Sequence, residues 1–152
     1  MHITRANHDD LQEIINLQYL AYQSEAKLCN NPNIPPLTQT LKDVEAEFAA
    51  GTFFLKAVDE NGHIIASVRA YSDNGTLHIG KLMVHPDLQG QGIGSKLLKE
   101  IESVCPHKQY ELFTSTKSER NIKLYERMGY VVFEERDIGN DLRFIYLRKA
   151  GK

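Results

Sequence analysis

Alternating apolar and polar residues in the middle of the chain predict a run of β-strands. Residues 52–59 and 63–71 place apolar side chains at every second position, which is the period of a half-buried strand. The turn sequences Asp59-Glu60-Asn61-Gly62 and Ser72-Asp73-Asn74-Gly75 follow them, and a third strand is predicted over Thr76–Val84. Short turns join antiparallel neighbours, so we expect the three strands to form a meander.

Apolar residues three and four positions apart predict four helices. The first follows the capping residues Asn7-His8-Asp9-Asp10, and the second runs from Thr38 or Thr40 to Ala50. A Pro-rich segment, 30–36, is predicted to be the loop between them. The third helix follows a glycine-rich stretch and repeats apolar residues every four positions, and the fourth begins at Ser118 and ends at Met128 before a glycine.

The order of these elements predicts the fold class. Further strands are expected at 1–5, 110–115, 130–136 and 142–148, the last two as a hairpin. The order is then one strand, two helices, three strands, a helix, a strand, a helix and two strands. The strands on either side of the third helix form a βαβ unit and should be parallel. We therefore predict an α/β fold (α+β in some schemes), with one mixed, mostly antiparallel sheet, helices on both faces, and a single domain over 1–152.

Composition and charge exclude several classes of protein. The 152 residues carry 18 basic and 20 acidic side chains, a net charge of −2, which gives no sign of nucleic-acid binding. No long apolar segment or signal-like N-terminus is present, so we expect a cytoplasmic protein that does not bind membranes. The two cysteines, Cys29 and Cys105, lack the spacing of a metal site, and we expect free thiols and no metal.

A glycine-rich turn between a strand and a helix is the most informative stretch of the chain. Pro86 ends the strand, and Gly90, Gly92 and Gly94 precede the third helix. A helix N-terminus offers unpaired N–H groups and a partial positive charge, and glycines allow close approach of a ligand, so this stretch predicts an anion site. The dinucleotide fingerprint fails because Ser95 stands where its third glycine is required. The P-loop spacing fails as well.

The stretch Gln89-x-x-Gly92-x-Gly94 resembles the Q/R-x-x-G-x-G/A signature of the GNAT superfamily of acetyl-CoA-dependent N-acetyltransferases. This resemblance covers nearly the whole predicted order of elements. It implies that loop amides hold the pyrophosphate of coenzyme A, and that backbone amides of the preceding strand contact the pantetheine and the thioester carbonyl. The implied coenzyme residues are Leu82, Met83, Val84, Gln89, Gly90, Gln91, Gly92, Ile93, Gly94 and Ser95.

A second stretch, Asn121 to Tyr130, is similar to the same family. Asn121 and Tyr125 are four residues apart, so they share one helical face, and Leu-Tyr-Glu and Gly-Tyr follow the family pattern. The resemblance implies that Asn121 hydrogen-bonds the coenzyme arm. It also implies that Tyr125 is the general acid for the leaving thiolate. Local spacing alone favours a core residue packed beside Ile122 and Met128, whereas the combination with the glycine-rich turn favours the functional role of Tyr125.

The general base and the acceptor site are less constrained by the sequence. Relatives often carry a glutamate in the strand that corresponds to Thr76–Val84, but this strand has none. We predict His78 as the base, on the expectation that it alternates onto the same face as Leu82 and Val84. Glu25, Glu111 or a water relay are the alternatives. By the same resemblance, the first helices supply the acceptor site, for which Tyr22 and Glu25 are the candidates.

These observations predict transfer of the acetyl group of acetyl-CoA, used as a co-substrate, to a primary amine of a small molecule or peptide. The amine attacks directly in a ternary complex. The alternative is a non-catalytic acyl-CoA-binding or regulatory module of the same fold, which the missing strand glutamate leaves open. We expect a monomer or a homodimer.

Overall fold

The computed structural model describes residues 1–151 and contains seven strands and six α-helices. There are also two short 3₁₀ helices among these residues: His8–Asp10 leads into the first α-helix, and Pro86–Leu88 follows the fourth strand. The elements, in chain order, are β1 (His2–Arg5), α1 (Leu11–Ala21), α2 (Gln23–Leu28), α3 (Pro35–Thr38), α4 (Leu41–Ala49), β2 (Phe53–Val58), β3 (Ile64–Asp73), β4 (Thr76–Val84), α5 (Ile93–Val104), β5 (Gln109–Ser115), α6 (Glu119–Arg127), β6 (Val131–Gly139) and β7 (Leu142–Ala150).

All seven strands form one sheet in the order β1-β2-β3-β4-β5-β7-β6. Strands β4 and β5 are parallel, and every other neighbouring pair is antiparallel. The predicted mixed sheet, the meander of β2 to β4 and the parallel βαβ unit are therefore confirmed.

Two hydrophobic cores lie on opposite faces of the sheet. On one face, the buried side of α5, with Ile93, Leu97 and Ile101, packs on β2 to β5. On the other face, α1 and α4 cover Phe54 and Met83. The helices on both faces are thus confirmed, and burial of these apolar stripes, rather than helix propensity, stabilises them.

The first helical region is more divided than the sequence predicted. The chain forms α1, a second short helix α2 and a single turn α3, where one continuous helix and a loop were expected. Pro35 occupies the first turn of α3, where its missing N–H costs no hydrogen bond. The predicted helix after Thr40 is confirmed as α4. It begins there because Thr40 and Asp43 form a capping box at its start.

A β-bulge interrupts β4 and changes which side chains share a face. Val68 of β3 faces both Lys81 and Leu82, since the pairing shifts between Ser67 and Arg69, and Lys81 has a φ of 49°. One extra residue reverses the alternation of side chains beyond it. The expectation that His78 shares a face with Leu82 and Val84 is therefore wrong: both of these pack against the core on the α5 side, and His78 lies on the other face.

Beyond His78, β4 and β5 diverge. The two strands are paired only at Thr76, Leu77 and His78 of β4, and the remainder of β4 has β3 as its one partner among residues 1–151. The sheet therefore has an open wedge in its middle, between the C-terminal half of β4 and β5. This wedge places unpaired strand edges next to the glycine-rich turn.

Other findings bear on the remaining sequence expectations. Cys29 and Cys105 are free thiols. Within residues 1–151, no helix has the length and apolar character needed to cross a membrane. No group of three potential metal ligands is found in the same residues.

Candidate active site

A cavity of about 580 Å³ lies where the start of α5 meets β4, α2 and α6. We call it the donor cavity. Every predicted coenzyme residue except Gln91 lines it: Leu82, Met83, Val84, Gln89, Gly90, Gly92, Ile93, Gly94, Ser95 and Asn121. The structure therefore brings together residues from two motifs that are about thirty positions apart in the sequence.

The start of α5 offers backbone donors to this cavity. Gly92 is the N-cap residue in the left-handed conformation, with a φ of 79°, and has no side chain to cap the helix. The first hydrogen bond across the helix start is from the Lys96 N–H to the Gly92 carbonyl, so the amides of Ile93, Gly94 and Ser95 lack a partner within residues 1–151. Three free amides and the helix dipole favour an anion here.

Gly94 lies where the start of α5 packs against β4 and α6. A Cβ at this position would lie 3.6 Å from the Leu124 side chain and 3.9 Å from both Leu82 and Val84. These are ordinary van der Waals distances, so a methyl group fits here, whereas a side chain larger than that of alanine would press on α5, β4 and α6. A small residue at position 94 is therefore compatible with the close packing of the helix start on the strand.

Three basic residues of the donor cavity were not identified from the sequence. Lys27, Arg120 and Arg127 line the cavity, and Arg120 Nη1 donates a hydrogen bond to Gln89 Oε1 at 2.7 Å. This bond connects α6 to the glycine-rich turn. Arg120 and Arg127 are seven residues apart and so share a helical face, a spacing that could have revealed them. Their charges make the cavity suited to a polyanion such as a nucleotide with several phosphates.

A second cavity, of about 550 Å³, opens on the side of the sheet where α1 and α4 lie. We call it the acceptor cavity. Tyr125 and His78 line it. Four residues line both cavities: Tyr22, Glu25, Leu82 and Asn121. The two cavities therefore meet at the open wedge between β4 and β5.

Tyr125 is buried at this meeting point. Its ring is 5% exposed and lies 6.2 Å from the ring of Tyr130, so it is a core residue and also a cavity residue. Burial, followed by the charge of Glu25, raises the pKa of the Tyr125 hydroxyl above its usual range, and the same two effects act on Tyr22. Both hydroxyls are protonated at neutral pH and can donate a proton or a hydrogen bond.

Two polar contacts hold the residues between the cavities in place. The Ser118 hydroxyl donates to Glu25 Oε1 at 2.5 Å, which ties α2 to the start of α6. Asn121 Nδ2 donates to the Thr114 hydroxyl of β5 at 3.3 Å. The carboxylate of Glu25 is the acidic group that faces both cavities.

The predicted base His78 lines only the acceptor cavity. Its ring is stacked on that of Tyr71, with the centroids 4.9 Å apart and an angle of 18° between the planes. Glu111, opposite His78 on β5, lies 3.9 Å from the guanidinium of Arg148. Of the three candidate bases, Glu25 alone reaches the donor cavity.

Comparison with known proteins identifies the class. Residues 11–130 match the Acetyltransferase (GNAT) family, and the chain belongs to this family. The chain is 32% identical over 104 residues to S-(2-succino)cysteine N-acetyltransferase of Bacillus subtilis, covering 60% of this chain and 63% of that protein. It is also 28% identical over 120 residues to the UPF0157 protein YqkA of the same organism, covering 78% of this chain and 34% of that protein. The chain thus spans between one third and two thirds of these relatives.

Solved structures show the same fold. The phosphinothricin acetyltransferase of Sinorhizobium meliloti, a GNAT superfamily protein crystallised in complex with AcCoA, has a TM-score of 0.78 to this chain. The sequences are 18% identical, and the match covers 99% of this chain and 88% of the other.

Proposed function

We propose that this protein is an N-acetyltransferase that transfers the acetyl group of acetyl-CoA to a primary amine. The amine attacks directly, with both substrates bound. The observation that carries this proposal is the meeting of the two cavities at Tyr22, Glu25, Leu82 and Asn121, with Tyr125 beside them. A ternary complex needs two sites that open onto one reacting centre, and this arrangement provides them.

The donor cavity suits coenzyme A. In this proposal, the amides of Ile93, Gly94 and Ser95 bind the pyrophosphate, and Arg120, Arg127 and Lys27 neutralise further phosphate charge. The edge of β4 after His78 is free of a partner strand on the β5 side, and its amides at Leu82 and Val84 would pair with the pantetheine arm and the thioester carbonyl. The predicted amide of Met83 faces β3 instead, because it points the same way as the His85 N–H, which donates to Ile65. The Asn121 side chain would contact the same arm.

The chemistry requires the amine to lose protons and the leaving sulfur to gain one. An amine attacks only when neutral, and a primary amine with a reference pKa of ~10.4 is mostly protonated at pH 7. A carboxylate at the meeting point, Glu25, or the ring of His78 would accept that proton directly or through water. The nitrogen then bonds to the carbonyl carbon and the carbon–sulfur bond breaks. The Tyr125 hydroxyl gives a proton to the sulfur, and the second proton that the nitrogen releases on becoming an amide returns to Tyr125, directly or through water.

Tyr125→Phe tests this proposal. The change removes only the hydroxyl, so we expect kcat to fall by about 10²–10⁴-fold, the usual contribution of a general acid, while coenzyme A binds as before. Release of the free thiol from acetyl-CoA over a panel of amines measures turnover, and calorimetry with coenzyme A measures binding. Unchanged kcat would contradict the role of Tyr125.

The same assay separates the candidate bases. Glu25→Gln and His78→Gln each keep the size of the side chain but lower its basicity. The base is the residue whose replacement removes the acidic limb of the rate against pH, while a water relay, or Glu111 as the base, leaves the limb in both variants. A protein that binds coenzyme A and releases no thiol with any amine would be the non-catalytic binding module. The monomeric or dimeric state and the cytoplasmic location stay predictions.

A further inference from the structure

The acceptor cavity contains a lysine with no ion-pair partner. Lys81 lines this cavity and is partly buried, and it takes part in no hydrogen bond or salt bridge through its side chain within residues 1–151. The two arginines of the cavity differ, because Arg69 is paired with Glu47 at 3.3 Å and Arg136 is paired with Glu134. A partly desolvated ammonium without a partner is unfavourable in the free protein. Lys81 is therefore the cation in this cavity that remains available to an anion.

The backbone at Lys81 is held in an unusual conformation. Its φ of 49° lies in the left-handed region, which a residue with a long side chain seldom adopts. Elsewhere in residues 1–151, the non-glycine residues with positive φ are of the types that tolerate it: Asn30, Asn74, Asn140 and Asp141. Strain of this kind at a residue other than Asn, Asp or Gly is common at binding sites, where a side chain must be aimed.

The bulge places Lys81 next to the reacting centre. Leu82, the following residue, lines both cavities. The Lys81 ammonium feels the charges of Arg69 and Glu47. Burial and the neighbouring Arg69 lower the pKa of Lys81, and Glu47 opposes them. The negative charge of a carboxylate bound here would offset both the desolvation of the Lys81 ammonium and its repulsion by Arg69.

An aromatic wall stands on the β5–β7 side of the same cavity. Phe113 is stacked on Phe144 with the ring centroids 4.8 Å apart, and Tyr146 lies 5.3 Å from Phe113. Phe113 is 47% exposed although it is a large apolar residue. Rings of this kind bind an apolar body at little cost in side-chain entropy.

We propose that Lys81 binds the carboxylate of the acceptor, which makes the acceptor a hydrophobic or aromatic α-amino acid. The proposal rests on the proposed function and specifies the substrate class of the same site. The acceptor's amino group lies toward Glu25 and the donor cavity, its carboxylate on Lys81, and its side chain on the wall formed by Phe113, Phe144 and Tyr146.

Matched pairs of acceptors test this assignment. L-Phenylalanine, L-leucine and L-methionine are each compared with the amine that lacks only the carboxylate: 2-phenylethylamine, 3-methylbutylamine and 3-(methylthio)propylamine. Calorimetry with coenzyme A present measures binding, and thiol release from acetyl-CoA measures kcat and KM. We expect at least one amino acid to bind about tenfold or more tightly than its amine, the usual strength of a charged hydrogen bond.

The variants Lys81→Met and Lys81→Arg show whether the charge at position 81 is responsible. Lys81→Met should weaken binding of the amino acid by about 10- to 100-fold, and KM for the amino acid should rise accordingly. The affinity for the amine should stay within about twofold of the unchanged protein. Lys81→Arg keeps the positive charge, so this variant should retain most of the preference for the amino acid over its amine. Lys42→Met, at an exposed position of α4, is the control and should leave both acceptors unchanged.

Three outcomes would overturn the proposal. In the first, no amino acid is preferred to its amine. In the second, Lys81→Met lowers kcat equally for both members of a pair, which would make Lys81 part of the proton-transfer chemistry. In the third, the Lys42→Met control shows the same loss. Selective binding of an amino acid through Lys81 without thiol release would support the carboxylate site and contradict the acetyl transfer, so the two failures are distinguishable.

Discussion

At the scale of single residues, the most strongly connected polar side chain is Arg69 of β3. It is 4% exposed, and it donates to Gln18 Oε1 at 2.6 Å, to Gln39 Oε1 at 3.4 Å and to the carboxylate of Glu47. These partners come from α1, the segment before α4, and α4 itself. One guanidinium therefore joins two helices to the sheet under the acceptor cavity.

Glu47→Ala should destabilise the fold through Arg69. The variant leaves a buried guanidinium without its counterion, and we expect a loss of about 2–3 kcal/mol in the free energy of unfolding, somewhat less than for a fully buried pair. Urea unfolding measures it. Glu45→Ala on the same helix removes only an exposed contact to His8 and should change stability by less than about 0.5 kcal/mol. Equal losses in the two variants would contradict this role of Arg69.

The sequence identified functional residues where a motif or a helical spacing marked them. Asn121 and Tyr125 were placed on one face by their spacing of four; Asn121 lines both cavities, and Tyr125 lines the acceptor cavity. Lys81 was not identified, because nothing near it in the chain has a matching chemistry and its role depends on the absence of a partner in three dimensions. A missing ion pair cannot be read from a one-dimensional pattern.

At the scale of elements, the glycine-rich turn and α5 form the donor site together. Gly92 combines a positive φ with open space, since a Cβ there would meet no atom within 4 Å. A substitution therefore brings backbone strain of about 1 kcal/mol but no collision. Position 92 is thus suited to a test of the anion site that leaves the core intact.

Gly92→Glu should abolish coenzyme binding while the fold persists. The carboxylate would lie where the pyrophosphate is expected, and we predict at least about a 100-fold loss of affinity for coenzyme A, measured by calorimetry. Gly62→Glu is a matched control, because Gly62 has a φ of 83°, equally open surroundings and a place in the β2–β3 turn. Both variants should have similar stability. Unchanged affinity in Gly92→Glu would show that the anion binds elsewhere.

The β4 bulge explains why the sequence placed His78 on the wrong face. The strand and its length were predicted correctly, but alternation was extended through Gly80 and Lys81 without interruption. A glycine inside a strand is a known sign of a bulge, and Gly80 was that sign. Register along a single strand depends on hydrogen bonds to its neighbours, so it could not be derived from the pattern of β4 alone.

At the scale of the whole molecule, three buried tyrosines make stability depend on alkaline pH. Burial raises the pKa of Tyr22, Tyr125 and Tyr130, and a hydrogen bond from Tyr130 to Glu102 adds to the effect. The unfolded chain releases these protons near pH 10, whereas the folded protein retains them. The resulting stabilisation is complete below pH 10 and is lost as the pH rises above it.

The free energy of unfolding should therefore fall above pH 10 by about 1.4 kcal/mol per pH unit for each of these tyrosines. Urea unfolding at intervals from pH 8 to pH 11 measures the slope. Tyr130→Phe removes one of the three groups, so its slope should be about one third smaller, whatever its stability at pH 8. An identical slope in the variant would show that Tyr130 titrates normally.

The order of strands and helices, including the parallel pair, followed from the sequence because turns, caps and periodicity are local properties. The division of the interior into two cavities did not, since it arises where β4 and β5 diverge. The proposed coenzyme residues were predicted from the sequence because most of them are contiguous in the chain. Acceptor residues are dispersed from Tyr22 to Tyr146, and only the fold assembles them.

The wall shared by the donor and acceptor cavities has a thermodynamic consequence. Tyr22, Glu25, Leu82 and Asn121 face both ligands, so any rearrangement of these side chains by one ligand alters the surface met by the other. Such coupling is reciprocal: the factor by which coenzyme A changes the affinity for the acceptor equals the factor by which the acceptor changes the affinity for coenzyme A. Under the proposed function, the two substrates would therefore act as effectors of each other's binding through these four side chains.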